Sequence, residues 1–95
     1  MLTIAGYIWR EDVVDKLAWK HNLATYEVEE VFQNRPRIQR IAKGHYQDED
    51  VYSAAGRTDA GRYLIVIFLY KQDKQALINT ARDMTAKEKQ RYGKK

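Results

Sequence analysis

The feature that most constrains the fold is an unbroken apolar run, Tyr63–Tyr70, which reads YLIVIFLY. Eight residues are too few to cross a membrane as a helix, which takes about 20. The β-branched and aromatic side chains of the run favour a strand. A strand that is apolar at every position is typical of the centre of a sheet. The run therefore predicts a central strand that is buried on both faces.

Shorter strand patterns occur on both sides of this run. Pro36 has no N–H to donate, so the strand that it begins should lie at an edge of the sheet. The strands after Pro36 are separated by short turn sequences such as Asp59-Ala60-Gly61, which predicts an antiparallel meander. Besides the apolar run, we predict strands over residues 3–9, 36–42, 49–57 and 75–81.

Three helices are predicted from apolar spacing and end signals. The first covers residues 10–22, and Asn22 can take the left-handed conformation that ends a helix. The second covers residues 25–32, with Thr25 expected as its N-cap. The third begins at the capping box Thr85-Ala86-Lys87-Glu88.

The chain has 95 residues, the size of one domain, so we expect residues 1–95 to form a single domain. The predicted fold class is α+β. An antiparallel β-sheet should carry the two N-terminal helices on one face, and a short C-terminal helix should follow the last strand. Trp9 and Trp19 are expected in the core.

Composition argues against several classes of site. The chain has no cysteine, so it has neither disulfides nor thiolate ligands for a metal. His21 and His45 are its two histidines, fewer than most transition-metal sites need. We expect no cofactor and no metal. Acidic residues at positions 11 and 12 argue against a signal peptide, and we expect a cytoplasmic protein that does not enter the membrane.

The charge is unevenly distributed along the chain. Residues 1–50 carry seven basic and nine acidic side chains, whereas residues 51–95 carry ten basic and four acidic ones. The halves therefore have net charges of −2 and +6, and the pI is about 9.4. A basic half suits an anionic partner, nucleic acid above all, although a solvated lysine-rich surface would give the same pattern.

The junction of the last strand and the last helix holds Arg82 and Asp83 in what should be a two-residue corner. An arginine held in one orientation suits a phosphate group. The alternative is a surface arginine that forms an ion pair with Asp83 or Glu88. The sequence alone leaves both interpretations open.

Several residues and short segments along the chain form a recognisable pattern. They are Trp9, Lys16, KHNL at 20–23, VF at 31–32, the glycine and AGRYLIV segment at 56–66, and ARDMTAKEKQRY at 81–92. In this pattern the chain resembles the BrnT family of bacterial toxins. Asn22 stands where the family usually has glycine, and both residues tolerate the left-handed conformation. Val51 and Leu77 stand where the family pattern often has arginines.

This resemblance implies a RelE-like ribonuclease fold and the toxin component of a type II toxin–antitoxin pair. The implied activity is a metal-independent endoribonuclease that cleaves RNA and arrests growth. The implied partners are RNA and a neighbouring antitoxin of the ribbon-helix-helix type with an acidic segment, in an even-numbered complex. The competing interpretation is a non-catalytic RNA- or protein-binding module of the same fold.

RNA cleavage without a metal requires cations at the phosphate and groups that transfer protons. Several candidates also have simpler interpretations: His21 fits a core position, His45 an ordinary loop and Tyr92 a ring packed on the sheet. The candidate catalytic residues are Arg82, Arg57, His45 and His21, and the candidate RNA-binding residues are Lys20, Arg62, Lys87, Arg91 and Tyr92.

Overall fold

The computed structural model describes residues 2–43 and 49–93. The order of elements is the predicted β-α-α-β-β-β-β-α. His45, one of the candidate catalytic residues, lies outside the described residues. The elements are β1 Gly6–Ile8, α1 Glu11–His21, α2 Thr25–Gln33, β2 Arg37–Ala42, β3 Asp50–Arg57, β4 Tyr63–Tyr70, β5 Gln75–Asp83 and α3 Ala86–Gly93.

The strands form one five-stranded sheet in the order β1-β5-β4-β3-β2. Strands β2 to β5 are antiparallel neighbours, which confirms the predicted meander. Strand β2, which follows Pro36, lies at the edge as expected. The other edge is β1, which pairs in parallel with β5 from Gly6 opposite Gln75 to Ile8 opposite Leu77. The sheet is therefore mixed, with β4 at its centre.

The central strand β4 has two different faces. Leu64, Val66 and Phe68 are fully buried, whereas Ile65 and Ile67 on the opposite face are half-buried. The prediction that this strand is buried on both faces was wrong. The reason is that α1 and α2 cover one face only, and α3 contributes no buried side chain to the other. We call the second side the open face.

The two N-terminal helices lie on the face of the sheet that carries Leu64, Val66 and Phe68, as predicted, and we call it the closed face. Val13 and Leu17 of α1, with Val28 and Val31 of α2, belong to the same buried cluster as the inward side chains of β3, β4 and β5. Apolar side chains at this spacing turn one stripe of each helix toward the sheet. The core thus lies between one helical layer and one face of the sheet.

Of the two helix-end residues predicted for α1 and α2, one is confirmed and the other was wrong. Asn22 ends α1 in the left-handed conformation, with φ of 52°. Thr25, however, is the first residue of α2 rather than its N-cap. Ala24 occupies the cap, and its backbone N–H donates to the Glu27 carboxylate at 3.0 Å. Glu27 therefore makes the glutamate half of a capping box, and its own N–H donates to the Ala24 carbonyl at 3.1 Å instead of to a hydroxyl.

The two tryptophans have different environments. Trp9 packs against the core, and its indole N–H donates to Glu29 at 2.9 Å. Trp19 is 76% exposed on α1, so the prediction that it lies in the core was wrong. It is next to Ala18 on the solvent side of the helix, because Val13 and Leu17 take the inward positions.

Gly56 is a close-approach position and provides a test of the packing between α2 and β3. A Cβ atom at Gly56 would lie 3.0 Å from Val31 and 3.4 Å from the backbone of Pro36. We expect Gly56→Ala to lower the free energy of unfolding by about 1–3 kcal/mol through overpacking. Gly6→Ala is the matched control, because its new Cβ would meet nothing nearer than 3.8 Å. Equal urea midpoints for the two variants would contradict this packing.

Candidate nucleic-acid interface

The C-terminal helix begins at the capping box that the sequence predicts. The Thr85 hydroxyl accepts from the Glu88 N–H at 3.1 Å, and the Glu88 carboxylate accepts from the Thr85 N–H at 2.9 Å. The same carboxylate also binds Arg82. Hydrogen bonds from Arg82 and from the Thr85 backbone lower the pKa of Glu88 to about 2. Glu88 is therefore an anion at every physiological pH.

Arg82 lies within strand β5, opposite Ile65, and not in a corner beyond it. Its guanidinium donates two hydrogen bonds to Glu88, at 2.7 and 2.9 Å, and one to the Asp83 carbonyl at 3.2 Å. This two-pronged ion pair is the alternative that the sequence left open for Arg82. The arginine therefore ties α3 to the sheet, with its side chain about half exposed.

Arg62 joins the end of the sheet to the end of α1. Its guanidinium donates to both carboxylate oxygens of Asp83, at 2.7 and 3.0 Å. It also donates to the backbone carbonyls of Asn22 and His21, each at 2.8 Å. The side chain is only 26% exposed, and Glu27 lies 3.5 Å away. The predicted RNA-binding residue Arg62 thus has donors that are already engaged within the fold.

His21 is held near the same carboxylate. It is half-buried at the last position of α1, where Arg62 binds its carbonyl. The pKa of Asp83 is lowered first by the hydrogen bonds from Arg62 and further by the charges of His21 and Lys89. His21 and Lys89 therefore lie near one anion at the end of the sheet.

The turn between β3 and β4 is fixed by α2. The Asn34 side chain donates to the Arg57 carbonyl at 2.9 Å and to Asp59 at 2.8 Å. Glu30 accepts from the Asp59 N–H at 3.0 Å. The buried Thr58 hydroxyl accepts from the Arg62 N–H at 3.0 Å. These contacts set the position of Arg57 at the end of β3.

Arg57, Tyr63, Lys89 and Tyr92 form a group that we call the Tyr63 cluster. The Arg57 guanidinium lies 5.3 Å from the centre of the Tyr63 ring, and the Lys89 ammonium lies 5.6 Å from it. The rings of Tyr63 and Tyr92 meet edge to face, with centroids 6.0 Å apart. The four side chains and Gly93 line a pocket of about 370 Å³. Both cations are within the distance at which an aromatic face attracts positive charge.

Arg37 extends this basic and aromatic surface toward β2. Its guanidinium lies 5.8 Å from the centre of the Tyr92 ring. It also donates to the carbonyls of Arg91 and Tyr92, at 3.3 and 3.4 Å. A cation at these carbonyls is favourable, because the C-terminal end of a helix carries partial negative charge. Arg37 therefore holds the far end of α3, as Arg82 holds its start.

The remaining predicted residues lie around this surface. Lys20 is exposed in the last turn of α1, and Lys87 and Arg91 are exposed on α3. Tyr92 is half-buried and packs on the sheet through Tyr63, so its ring is in the position that the simpler interpretation expected. In residues 2–43 and 49–93, no three carboxylate or histidine side chains converge as ligands for a metal ion.

The sequence analysis did not include Lys89 or Arg37 among its candidate site residues. The pairing of β3 with β4 could have been used to predict part of the cluster. A turn over residues 58–62 places Arg57 directly opposite Tyr63. Residues opposite each other in antiparallel strands share a face. Lys89 has no such signal, since its position depends on how α3 docks on the sheet.

Comparison with known proteins identifies the family. Residues 9–88 match the model of the family described as "Ribonuclease toxin, BrnT, of type II toxin-antitoxin system". The chain belongs to the BrnT family. This match includes Arg57, Tyr63 and the Arg82–Glu88 pair, whereas Lys89 and Tyr92 lie beyond its last residue. It confirms the resemblance seen in the sequence.

The fold also matches a solved BrnT structure. The crystal structure of the Brucella abortus ribonuclease toxin BrnT aligns with a TM-score of 0.59 and 18% sequence identity. The alignment covers 87% of this chain and 99% of the Brucella chain. At that identity the likeness establishes the shared fold. Among curated proteins, none matches this BrnT-family chain.

Family membership implies an antitoxin partner, since the family is defined within type II toxin–antitoxin systems. In the part of the chain that the structure describes, no helix is long and apolar enough to span a membrane.

Replacing Arg62 tests its role as the link between α1 and β5. We expect Arg62→Ala to lower the free energy of unfolding by about 2–3 kcal/mol, because Asp83 and two carbonyls lose charged hydrogen bonds. Arg62→Lys should recover only part of this, since an ammonium cannot make the two-pronged contact. Arg10→Ala is the control: its pair with Asp12 is well exposed and should be worth at most about 1 kcal/mol. Urea unfolding that ranks Arg62→Ala with Arg10→Ala would contradict this role.

Proposed function

We propose that this BrnT-family chain is an endoribonuclease toxin that cleaves RNA without a metal ion and thereby arrests growth. The observation that carries the proposal is the Tyr63 cluster. Two cations lie over one aromatic ring beside a second ring, and among residues 2–43 and 49–93 no carboxylate lines their pocket. Cations interleaved with aromatic rings are the usual means of binding single-stranded nucleic acid.

The cluster supplies both interactions that RNA needs. Stacking of a base on an aromatic side chain is commonly worth about 1–3 kcal/mol, and it tolerates any base. Tyr63 and Tyr92 are the rings available for this contact. Arg57 is exposed at the rim and can pair two nitrogens with two phosphate oxygens. Lys89 adds a point charge on the other side of the ring.

The proposed reaction is an attack by the RNA on its own backbone. The ribose 2′-oxygen forms a bond to the adjacent phosphorus, and the bond from phosphorus to the 5′-oxygen breaks. The 2′-hydroxyl proton goes to a base, and the leaving 5′-oxygen takes a proton from an acid. Arg57 and Lys89 offset the charge that builds up on the phosphate oxygens.

His21 is the proposed proton-transfer group within the described residues. Arg62 binds both the His21 carbonyl and Asp83, and Asp83 is opposite Leu64, next to Tyr63, which supports this assignment. His45 remains a second proposed group for proton transfer. One imidazole taking a proton and another giving one would complete the exchange without a metal.

Arg82 has two possible contributions to the proposed site. Its guanidinium is held by Glu88, so it can hold α3, and with it Lys89, in place. It can also act on a phosphate directly, if the bound RNA displaces Glu88. Lys20, Lys87 and Arg91 are proposed to attract the RNA backbone at longer range, as exposed charges do. Arg62 would contribute mainly by positioning His21.

The proposed partner is an antitoxin encoded by the adjacent gene, with a ribbon-helix-helix DNA-binding part and an acidic segment. Such antitoxins dimerise, so the complex should contain an even number of chains. The basic surface around α3 supports an acidic partner. The expected location of the pair is the cytoplasm, where its RNA substrate is found.

Cleavage of a labelled single-stranded RNA tests the proposal. We expect Arg57→Ala to lower the single-turnover rate about 10²–10³-fold, the usual effect of removing one transition-state donor. Lys89→Ala should lower it less, because lysine makes a less directional contact. Arg10→Ala, at an exposed arginine of the helical layer, is the control and should cleave at the parental rate. An inactive parent that still binds the RNA would favour the non-catalytic binding module.

The same assay separates the two contributions of Arg82. Holding α3 requires both partners, so Arg82→Ala and Glu88→Gln should then reduce cleavage to a similar degree. A direct contact with phosphate requires only the arginine, so Glu88→Gln should then keep or raise the rate while Arg82→Ala lowers it. Circular dichroism of each variant shows whether the fold persists.

A further inference from the structure

A trough runs along β3 on the open face of the sheet. Its floor is Ser53 and Ala55, two small side chains between larger ones on the neighbouring strands. One wall is Gln39 and Ile41 of β2, the other is Ile65 and Ile67 of β4, and Tyr92 of α3 closes one end. We call this feature the β3 trough, and its volume is about 260 Å³.

The register of the sheet gives the trough its shape. Ala55 is directly opposite Arg37 on one side and Ile65 on the other, and Ile65 is opposite Arg82. The walls stand two strand spacings apart, about 10 Å. That width matches a helix or an extended segment inserting its side chains. The trough therefore forms because one strand, β3, carries small side chains, and its floor is not part of a loop.

The lining of the trough suits a protein better than RNA. Ile41 is 51% exposed, a large aliphatic surface for a chain of this size, and Ile65 and Ile67 are half-buried. Aliphatic side chains offer a base neither stacking nor hydrogen bonds. The ionised Glu88 also lines the trough and would repel a phosphate.

The rim of the trough is basic. Arg37 and Arg91 line it beside Tyr92, and Lys89 and Arg57 lie beyond that ring. The charge of Arg82 is offset by its ion pair with Glu88, so the other cations make the rim positive. A complementary segment would carry apolar side chains for the floor and carboxylates for the rim.

We propose that the β3 trough docks an apolar, acidic segment of the antitoxin. This inference rests on the proposed function, because it assigns a surface to the partner named there. Tyr92 lines both the trough and the pocket of the Tyr63 cluster. A segment seated in the trough therefore lies against the edge of the RNA site, and docking there blocks access of RNA to Tyr92.

The test uses the full chain and the purified product of the adjacent gene, with affinities measured by calorimetry. Ile41→Glu places a charge in the apolar wall against which the segment's apolar side chains would pack, and Ser53→Phe fills the floor. Each should weaken antitoxin binding at least about 30-fold, the loss expected at an interface hot spot. Tyr26→Glu is the matched control: Tyr26 is 63% exposed on α2, outside the trough, and its variant should bind as the parent does.

Affinity for a single-stranded RNA, measured in parallel, separates the possible occupants. Unchanged RNA binding with weakened antitoxin binding supports the proposal. Unchanged antitoxin binding by Ile41→Glu overturns it, and a loss of RNA binding alone assigns the trough to RNA. A parent that cleaves RNA but does not bind the adjacent product overturns the docking and leaves the ribonuclease proposal standing. Because Ile41 is exposed, its variant remains informative even if Ser53→Phe does not fold.

Discussion

The contacts of Arg62 connect the helical layer to the end of the sheet, and the candidate site depends on that connection. A single guanidinium binds the Asp83 carboxylate of β5 and the two carbonyls that end α1. An arginine can do this because its donors are planar and fixed in direction. The link places His21 near Asp83, and Lys89 of α3 lies near the same carboxylate. Three elements that are distant in sequence thus meet around the Asp83 carboxylate, which is 56% exposed.

The two faces of the sheet differ in what they carry: one forms the core, and the other carries the candidate site. The closed face buries Leu64, Val66 and Phe68 under α1 and α2 and forms the core. In the part of the chain that the structure describes, α3 is the one helix on the open face. Arg82 and Arg37 hold its two ends, and none of its side chains is buried. A surface held in this way can present cations and rings to a ligand without loss of the core. The acidic charge of the first half of the chain lies largely on the helices, away from this surface.

Local signals predicted most of the fold. Apolar runs and turn residues located the strands, and the Thr85–Glu88 capping box located α3. The errors came from tertiary context. The apolar strand Tyr63–Tyr70 has one open face, because within residues 2–43 and 49–93 no second layer of helices covers it. Trp19 lies outside the stripe of α1 that meets the sheet. Of the site, Arg57 and Tyr92 could be named from charge and family resemblance. Lys89 and the Arg62 link could not, since both depend on contacts between elements far apart in sequence.

The central claim is that RNA binds at the Tyr63 cluster, and NMR mapping tests it most directly. The isotope-labelled chain is titrated with a fully 2′-O-methylated oligoribonucleotide, which has no free 2′-hydroxyl and cannot be cleaved. The account predicts the largest shift changes at Arg57, Tyr63, Lys89 and Tyr92, and that these changes weaken as salt is raised. Changes confined to the helical layer around Trp19 and Tyr26, with the Tyr63 cluster unaffected, would contradict it.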